Sequence, residues 1–287
     1  MNFPGQKPWL RFVLCAGIFG LFLFPPDLPA HGDTHEQIDA VSKEIAAQPN
    51  RLELWLKRAE LHRVHGEFGL ALADCQTAEK LEPNGATVQY FRGKTLFDAG
   101  LYPEAVAALD RFLAVERESS KAFLIRARVF AKLRNFERAA ADFSDGIRFA
   151  AAPEPDYFTE RAQAWDAAGK TEAALSGLDE GIARFGPVVS LQTPAIDLEL
   201  KLGRYEAALK RVDSLSAQSS RKESWLLQRA KILERAGRSE EARVAYANAA
   251  VAIERLPGRI ASTESVQIMQ KEITSSLQRM AGRSPQK

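Results

Sequence analysis

Residues 55–83, WLKRAELHRVHGEFGLALADCQTAEKLEP, decide the fold of this chain. Gly66 divides the stretch, Ala59 and Ala71 stand seven residues before and five residues after it, and Pro83 closes it. Glycine can end a helix in a left-handed turn, and proline stops a helix. Small side chains let two helices cross closely. The stretch therefore predicts two antiparallel helices joined by a tight turn.

The same pattern recurs along the chain with a period of 34 or 35 residues. The turn position is taken in succession by Gly66, Gly100, Arg134, Gly169, Gly203 and Gly237. Five residues after each comes an alanine: Ala71, Ala105, Ala139, Ala174, Ala208 and Ala242. A fixed period of this length indicates a repeat architecture, in which each helix pair buries its apolar face against its neighbours.

The first copy resembles the tetratricopeptide repeat, and the resemblance covers roughly residues 35–256. The residues that match the outline of that repeat are Trp55, Ala59, Gly66, Phe68, Ala71, Ala78 and Pro83. The resemblance implies an all-α fold, a right-handed superhelical α-solenoid of antiparallel helix pairs with a capping helix at each end. We predict no strands, because no stretch sustains the alternation of apolar and polar residues that a half-buried strand requires.

The chain divides into four predicted segments: a signal peptide at 1–30, an N-terminal capping helix at 31–50, a six-repeat solenoid at 51–256, and a C-terminal capping helix with a tail at 257–287. Both caps carry an apolar stripe at helical spacing. The stripes are Ile38, Val41 and Ile45, and then Val266, Met269, Ile273, Leu277 and Met280.

Two copies depart from the pattern. In the third, Asn135 follows Arg134 and is expected to supply the left-handed turn. The segment that follows the second helix of this copy, 150–156, has one extra residue and two prolines, so we expect the helical stack to bend there. In the fifth copy we expect Thr193 to cap a shortened first helix whose first residue is Pro194.

The N-terminal segment has the pattern of a secretory signal peptide. Lys7 and Arg11 precede the apolar run from Phe12 to Phe24, and a small residue, Ala30, follows a proline-broken stretch. The run would span roughly 20 Å as a helix, less than the roughly 30 Å of a bilayer core, so we predict no membrane span in the mature form. Cleavage after Ala30 is expected, with Gly32 as the alternative, and localisation is expected to be periplasmic or extracellular.

Composition and charge narrow the function. The 287 residues are 46% hydrophobic and 26% charged, with 39 Lys and Arg against 37 Asp and Glu. Because the numbers of positive and negative side chains are nearly equal, the chain has no strong positive field that would attract nucleic acid. We therefore predict no nucleic-acid partner. No complete catalytic motif occurs, and Cys75 falls on a packed second helix, so we predict that the chain is not an enzyme and needs no cofactor.

All four histidines, His31, His35, His62 and His65, fall at the N-terminal end. If the leading helix packs antiparallel to the next, His35 faces His62 and His65, and cleavage after Ala30 makes His31 the N-terminus. Imidazoles grouped in this way can bind Zn²⁺ or Cu²⁺. A metal-handling module is therefore the alternative function. The other interpretation is that these histidines have a purely structural role, in helix packing and at a helix C-terminus.

The resemblance implies that a protein or extended peptide binds along the concave face, which the first helix of each pair lines. Helical projection places these residues on that face: Tyr90, Lys94, Phe97, Lys121, Leu124, Arg128 and Lys132. The middle repeats would then be basic and suited to an acidic segment, whereas Glu160 and Asp166 make the fourth repeat acidic. The other interpretation is a solvated wall without a dedicated ligand. The leading function is an exported, non-catalytic scaffold or adaptor.

Overall fold

The computed structural model describes residues 34–281, which form fifteen α-helices and no strand. The helices are α1 (Thr34–Ala47), α2 (Leu52–Val64), α3 (Phe68–Leu81), α4 (Ala86–Asp98), α5 (Tyr102–Val115), α6 (Ser120–Lys132), α7 (Phe136–Phe149), α8 (Pro155–Ala167), α9 (Thr171–Phe185), α10 (Val189–Lys201), α11 (Tyr205–Gln218), α12 (Glu223–Arg235), α13 (Ser239–Glu254), α14 (Gly258–Ala261) and α15 (Glu264–Ala281). The prediction of an all-α solenoid is confirmed. The predicted signal peptide, His31 and the last six residues lie outside the described part of the chain.

Six antiparallel helix pairs, from α2/α3 to α12/α13, stack between α1 and α15. The recurring alanine of the second helix is the point of closest packing. Each of the six, from Ala71 to Ala242, is 0% exposed. The first helices have a small position of their own, and Gly93 of α4 shows why it stays small, because a Cβ added there would lie 2.7 Å from Cγ of Leu109 on α5. The sequence argument for close helix crossing is therefore confirmed.

The turns between the paired helices use left-handed backbone. Five of the six turn positions are glycines with positive φ, and the third is Arg134 with φ of 58°. The expectation that Asn135 would take this conformation is wrong. Asn135 instead caps α7, where its side-chain oxygen accepts a hydrogen bond from the backbone N–H of Arg138 at 3.4 Å. An asparagine is more useful at the N-cap, because it can satisfy an N–H that has no partner within the helix.

The first helix of the fifth pair is not shortened, contrary to the expectation at Pro194. Helix α10 begins at Val189, and Pro194 lies inside it. Proline removes the N–H that would bond to the carbonyl four residues earlier. That carbonyl, of Ser190, instead accepts a hydrogen bond from the Thr159 hydroxyl of α8 at 3.3 Å. The neighbouring repeat thus compensates the lost bond and lets the helix continue.

The terminal helices cover the ends of the stack. Ile38, Val41 and Ile45 of α1 are buried, as are Val266 and Ile273 of α15. Met269, Leu277 and Met280 pack against the last core cluster, so both predicted apolar stripes face inward. Between residues 34 and 281, no helix combines the length and apolar character needed to cross a membrane.

The first helices of the pairs form the inner wall. Successive first helices approach one another closely at α2–α4, α4–α6 and α8–α10. The approach is looser at α6–α8 and α10–α12. The connection before α8 runs from 150 to 154 and contains Pro153, whereas the connection before the tightly packed α10 covers only 186–188. The longer connection lets α8 stand away from α6.

Candidate functional site

Ion pairs between successive first helices line the inner wall. Nζ of Lys94 lies 2.8 Å from Oε1 of Glu60, 34 residues earlier in the chain. Arg128 donates two hydrogen bonds to the carboxylate of Glu160, at 2.7 and 2.8 Å. Lys201 donates to Asp166 of the preceding repeat at 2.5 Å. These contacts cross from one repeat to the next and fix the spacing of the wall.

Glu60 is the most strongly held of these carboxylates. Arg63 donates two hydrogen bonds to it, at 2.9 and 2.8 Å, and also pairs with Asp98 of the following repeat. The hydrogen bonds from Arg63 and Lys94, and the charges behind them, lower the pKa of Glu60 to about 2 although burial opposes ionisation. Glu60 therefore stays charged through the physiological range and belongs to the framework of the wall.

These pairs change the charge of the predicted basic surface. Lys94 and Arg128 were both expected to face a ligand, yet each is neutralised by a carboxylate one repeat away. Lys121 and Lys132 are exposed at opposite ends of α6, and within residues 34–281 neither forms an ion pair. The cationic character of the wall therefore resides in side chains at the helix ends rather than in a continuous patch.

The aromatic and aliphatic members of the predicted surface lie deeper than expected. Leu124 is only 5% exposed and belongs to the core between α6 and α7. Its side chain lies against Gly146, so its placement on the groove is wrong. Tyr90 occupies the same repeat position, and its ring packs 5.0 Å from that of Phe112 on the second helix. This position points between the paired helices, so Tyr90 is only half-exposed.

Phe97 is half-buried, with its ring 6.2 Å from that of Tyr102. Its contacts include the core formed by α4 and α5. Part of the Phe97 ring is therefore taken up by the core.

A cavity of about 400 Å³ opens where α6 and α8 separate. Its apolar lining includes Ala131, Phe143 and Ala164, and its polar edge includes Lys132 and Gln163. The Arg128–Glu160 pair borders it. This volume is large enough for a bulky apolar side chain.

A second cavity of about 500 Å³ lies between α10, α12 and α15. Leu200, Leu227, Ile232 and Met269 supply apolar surface, and Arg235 lies at its edge. Sequence reasoning missed this cavity entirely. The packing of α15 against α12 completes it, and the apolar stripe that includes Met269 indicated that α15 is partly buried but not that it borders a cavity.

Arginines of two first helices, Arg58 in α2 and Arg126 in α6, tie each of those helices to the second helix of its pair. Arg126 bridges Asp142 of its own pair, at 2.7 and 2.8 Å, and Asp110 of the preceding pair at 2.6 Å. Burial raises the pKa of Asp142, with the Arg126 guanidinium opposing that shift. Arg58 makes the same two-pronged contact with Asp74 at 2.8 and 2.7 Å. These pairs hold the helices that carry the groove in a fixed orientation.

The fifth pair makes the equivalent contact with the charges exchanged. Ala195 stands where the other first helices carry arginine, and Arg211 of α11 stands where α7 carries Asp142. Arg211 lies 3.2 Å from Glu199 of α10 and 2.7 Å from Asp179 of the preceding pair. The fifth pair therefore keeps an ion pair between its two helices, but the arginine belongs to the second helix and the carboxylate to the first.

The histidines lie together only in part. The rings of His35 and His65 meet edge-on with centroids 4.4 Å apart, as the antiparallel packing of α1 and α2 predicts. His62 is buried and its Nδ1 lies 2.6 Å from Glu67. Within residues 34–281, no three His, Cys, Asp or Glu side chains are arranged to hold a metal ion. His31 lies outside that range, so the four-histidine site stays a prediction.

Cys75 is 1% exposed, in α3. Burial raises the pKa of its thiol to about 12, so the thiolate that a nucleophile requires is not populated near neutral pH. The side chain fills the core, as its position on a packed helix predicts.

Comparison with known proteins identifies the architecture. The tetratricopeptide repeat family model matches residues 90–155 and 194–259. Similar solved structures include the C-terminal part of a repeat-containing protein from Cytophaga hutchinsonii, with 14% identity, a TM-score of 0.64, and coverage of 82% of this chain and 94% of that one.

Two further structures have the same fold. PilW, a widely conserved type IV pilus biogenesis factor, is 21% identical with a TM-score of 0.54, covering 67% of this chain and 90% of that one. YrrB, described as having an unusual peptide-binding site, is 19% identical with a TM-score of 0.53, covering 63% of this chain and 92% of that one. At these low sequence identities, the similarity shows a shared fold and does not establish a shared function.

Proposed function

We propose that this chain, a tetratricopeptide repeat protein, is an exported, non-catalytic scaffold or adaptor that binds a protein or extended peptide along the inner wall of its first helices. The observation that carries the proposal is the wall of first helices, which ion pairs join from one repeat to the next. Inter-repeat pairs such as Glu60–Lys94 and Arg128–Glu160 fix the helices relative to one another. A wall that does not rearrange loses little conformational entropy when a partner binds.

Open cavities along that wall support binding by insertion of side chains. A surface with apolar pockets and surrounding polar groups suits a peptide whose side chains enter the pockets while its backbone stays at the rim. The volume of about 400 Å³ between α6 and α8 is centrally placed for this purpose. Export rests on the apolar run from Phe12 to Phe24 and the basic residues before it.

A bulky substitution on the inner wall tests the groove. Gln163 is exposed and lines the central cavity, so Gln163→Trp should obstruct it without disturbing the core. Gln76→Trp, on an exposed position of the second helix α3, is the matched control. Affinity capture from the envelope fraction should recover the same partner with wild type and Gln76→Trp and lose it with Gln163→Trp. Equal recovery by all three would refute a groove-based function.

A metal-binding role is the second candidate, favoured by the edge contact of His35 and His65 at 4.4 Å. Within residues 34–281 these two rings have no third ligand arranged to complete a metal site, so the proposal also requires His31. Calorimetric titration of the processed chain with Zn²⁺ and with Cu²⁺ tests it. Uptake of one equivalent that disappears in His35→Ala and His65→Ala supports the site, whereas no heat at micromolar metal excludes it.

A further inference from the structure

The two cavities of the inner wall occupy equivalent places in the repeat. The first lies at the α6–α8 joint and the second at the α10–α12 joint, the two joints at which first helices stand apart. Residues that share a repeat position line both: Ala131 with Leu200, Glu160 with Gln228, Ala164 with Ile232, and Ala167 with Arg235. An opening between successive first helices therefore forms a cavity at both of these joints.

Each cavity also carries the same set of charges. The first has one neutral ion pair, Arg128–Glu160, which joins α6 to α8, and the second has another, Lys231–Glu272 at 2.6 Å, which joins α12 to α15. The sets of charges match, although they lie on different helices of the two joints. Lys132 at the first and Arg235 at the second are the last residues of their helices, and both are exposed. Neither forms an ion pair within the described residues 34–281. Each site thus combines an apolar interior, a balanced pair and one uncompensated cation.

The distance between the cavities sets the length of a ligand that reaches both. The joints are two first-helix spacings apart, and packed helices lie about 8–10 Å from one another, so the wider joints place the cavities at least about 16–20 Å apart. An extended chain advances about 3.3 Å per residue, so at least about five or six residues are needed to connect the two sites. Asp166 and Lys201, which lie between them, are already paired with each other and add no net charge.

We propose that the groove takes one extended segment of a partner polypeptide with two apolar side chains about six residues apart, each next to an acidic residue. The apolar side chains enter the two cavities, and the acidic residues pair with Lys132 and Arg235. This inference rests on the proposed function and names the chemistry of its ligand. A uniformly basic wall would accept any acidic segment, whereas two separate sites require a defined spacing.

Selection from a random peptide library, followed by binding measurements, tests this proposal. Peptides of about twelve residues are long enough to reach both cavities when extended. The full processed chain should select sequences with two apolar residues about six positions apart and acidic neighbours. A synthetic copy of a selected peptide, labelled for fluorescence anisotropy, then serves as the probe.

Charge reversal at the two rims gives the decisive comparison. Lys132→Glu and Arg235→Glu should each weaken binding of the probe about tenfold, and the double variant should weaken it about a hundredfold, because separate sites contribute additively. Lys80→Glu, on the exposed face of α3, should leave the affinity unchanged. The weakening should shrink at high salt, since screening reduces interactions between exposed charges.

The outcomes separate this inference from the function on which it rests. If selected peptides lose binding to Gln163→Trp but bind both charge-reversed variants as they bind wild type, or if they lack paired apolar residues, the two-cavity inference fails and the groove remains. If no selected peptide depends on Gln163, both the inference and the groove function fail.

Discussion

Glu60 and Lys94 stand one repeat apart in the sequence, and their side chains meet at 2.8 Å on the inner wall. The contact is a direct consequence of stacking, because residues separated by the period of a solenoid become neighbours across a joint. Arg63 bonds the same carboxylate, so a single acidic side chain holds two cations from successive first helices. Such inter-repeat ion pairs fix the positions of the first helices along the groove. They also neutralise charges that would otherwise face a partner.

Glu60→Gln should reduce stability by about 1 kcal/mol at neutral pH, a modest value because the pair is partly exposed to solvent. The lowered pKa of Glu60 means that its contribution is present above the ordinary glutamate pKa and is lost as the pH falls towards about 2. Urea unfolding at neutral and acidic pH should show the difference between wild type and variant narrowing with acidification. Glu118→Gln, at an exposed position in a connection, should show no such difference.

Arg126→Leu should destabilise the fold by about 3 kcal/mol, because it leaves Asp142 buried without its cation. Burial already raises the pKa of Asp142, and removing Arg126 removes a group that opposes that rise. In the variant, Asp142 should bind a proton more tightly in the folded state than in the unfolded state. The loss of folding stability should therefore diminish as the pH falls from neutral towards the ordinary aspartate pKa.

Calorimetric unfolding across this pH range measures the Arg126→Leu effect. The double variant Arg126→Leu with Asp142→Leu has no buried carboxylate at this position and should lack the pH-dependent recovery. Identical pH profiles for the single and the double variant would exclude Asp142 as the cause.

Gly93→Ala should destabilise the protein, whereas Gly69→Ala should stabilise it, although both glycines lie within helices. Alanine favours a helix over glycine by about 1 kcal/mol. At Gly69 nothing lies within 4 Å of the added Cβ, but at Gly93 it would lie 2.7 Å from Leu109, and overpacking costs about 1–3 kcal/mol. Thermal unfolding of the two variants and of Gly93→Ala with Leu109→Val measures the contrast, and the smaller valine should restore part of the loss.

The protein isolated from its producing cell should begin at His31, with Asp33 as the alternative start. Removing 1–30 should retain the chain inside the cell, since the basic residues and apolar run that direct export lie in that segment. Amino-terminal sequencing and cell fractionation check both expectations. An intact Met1 in the exported protein would exclude cleavage.

Part of the inner wall could be predicted from sequence. Lys94, Arg128 and Lys132 belong to first helices, and Lys94 and Arg128 pair with carboxylates of neighbouring first helices. Their role in binding a partner stays a prediction. Periodicity alone misplaced Leu124, because neighbouring positions on a helix differ by about 100° and an error of one residue moves a side chain from the groove to the core. Aligning the repeats could have revealed the opposite charges of Glu60 and Lys94 at one repeat position.

The sequence by itself determined the repeated unit, since Ala71 and its five counterparts admit close packing wherever two helices cross, and this requirement is local to each pair. It also determined both apolar caps. Only the tertiary structure decided which charges are neutralised and where the wall opens. Those properties depend on the distances between first helices of different pairs, such as α6 and α8, because packing between pairs sets those distances. The prolines and the extra residue at 150–156 indicated a bend in the stack but not the width of the opening or the charges around it.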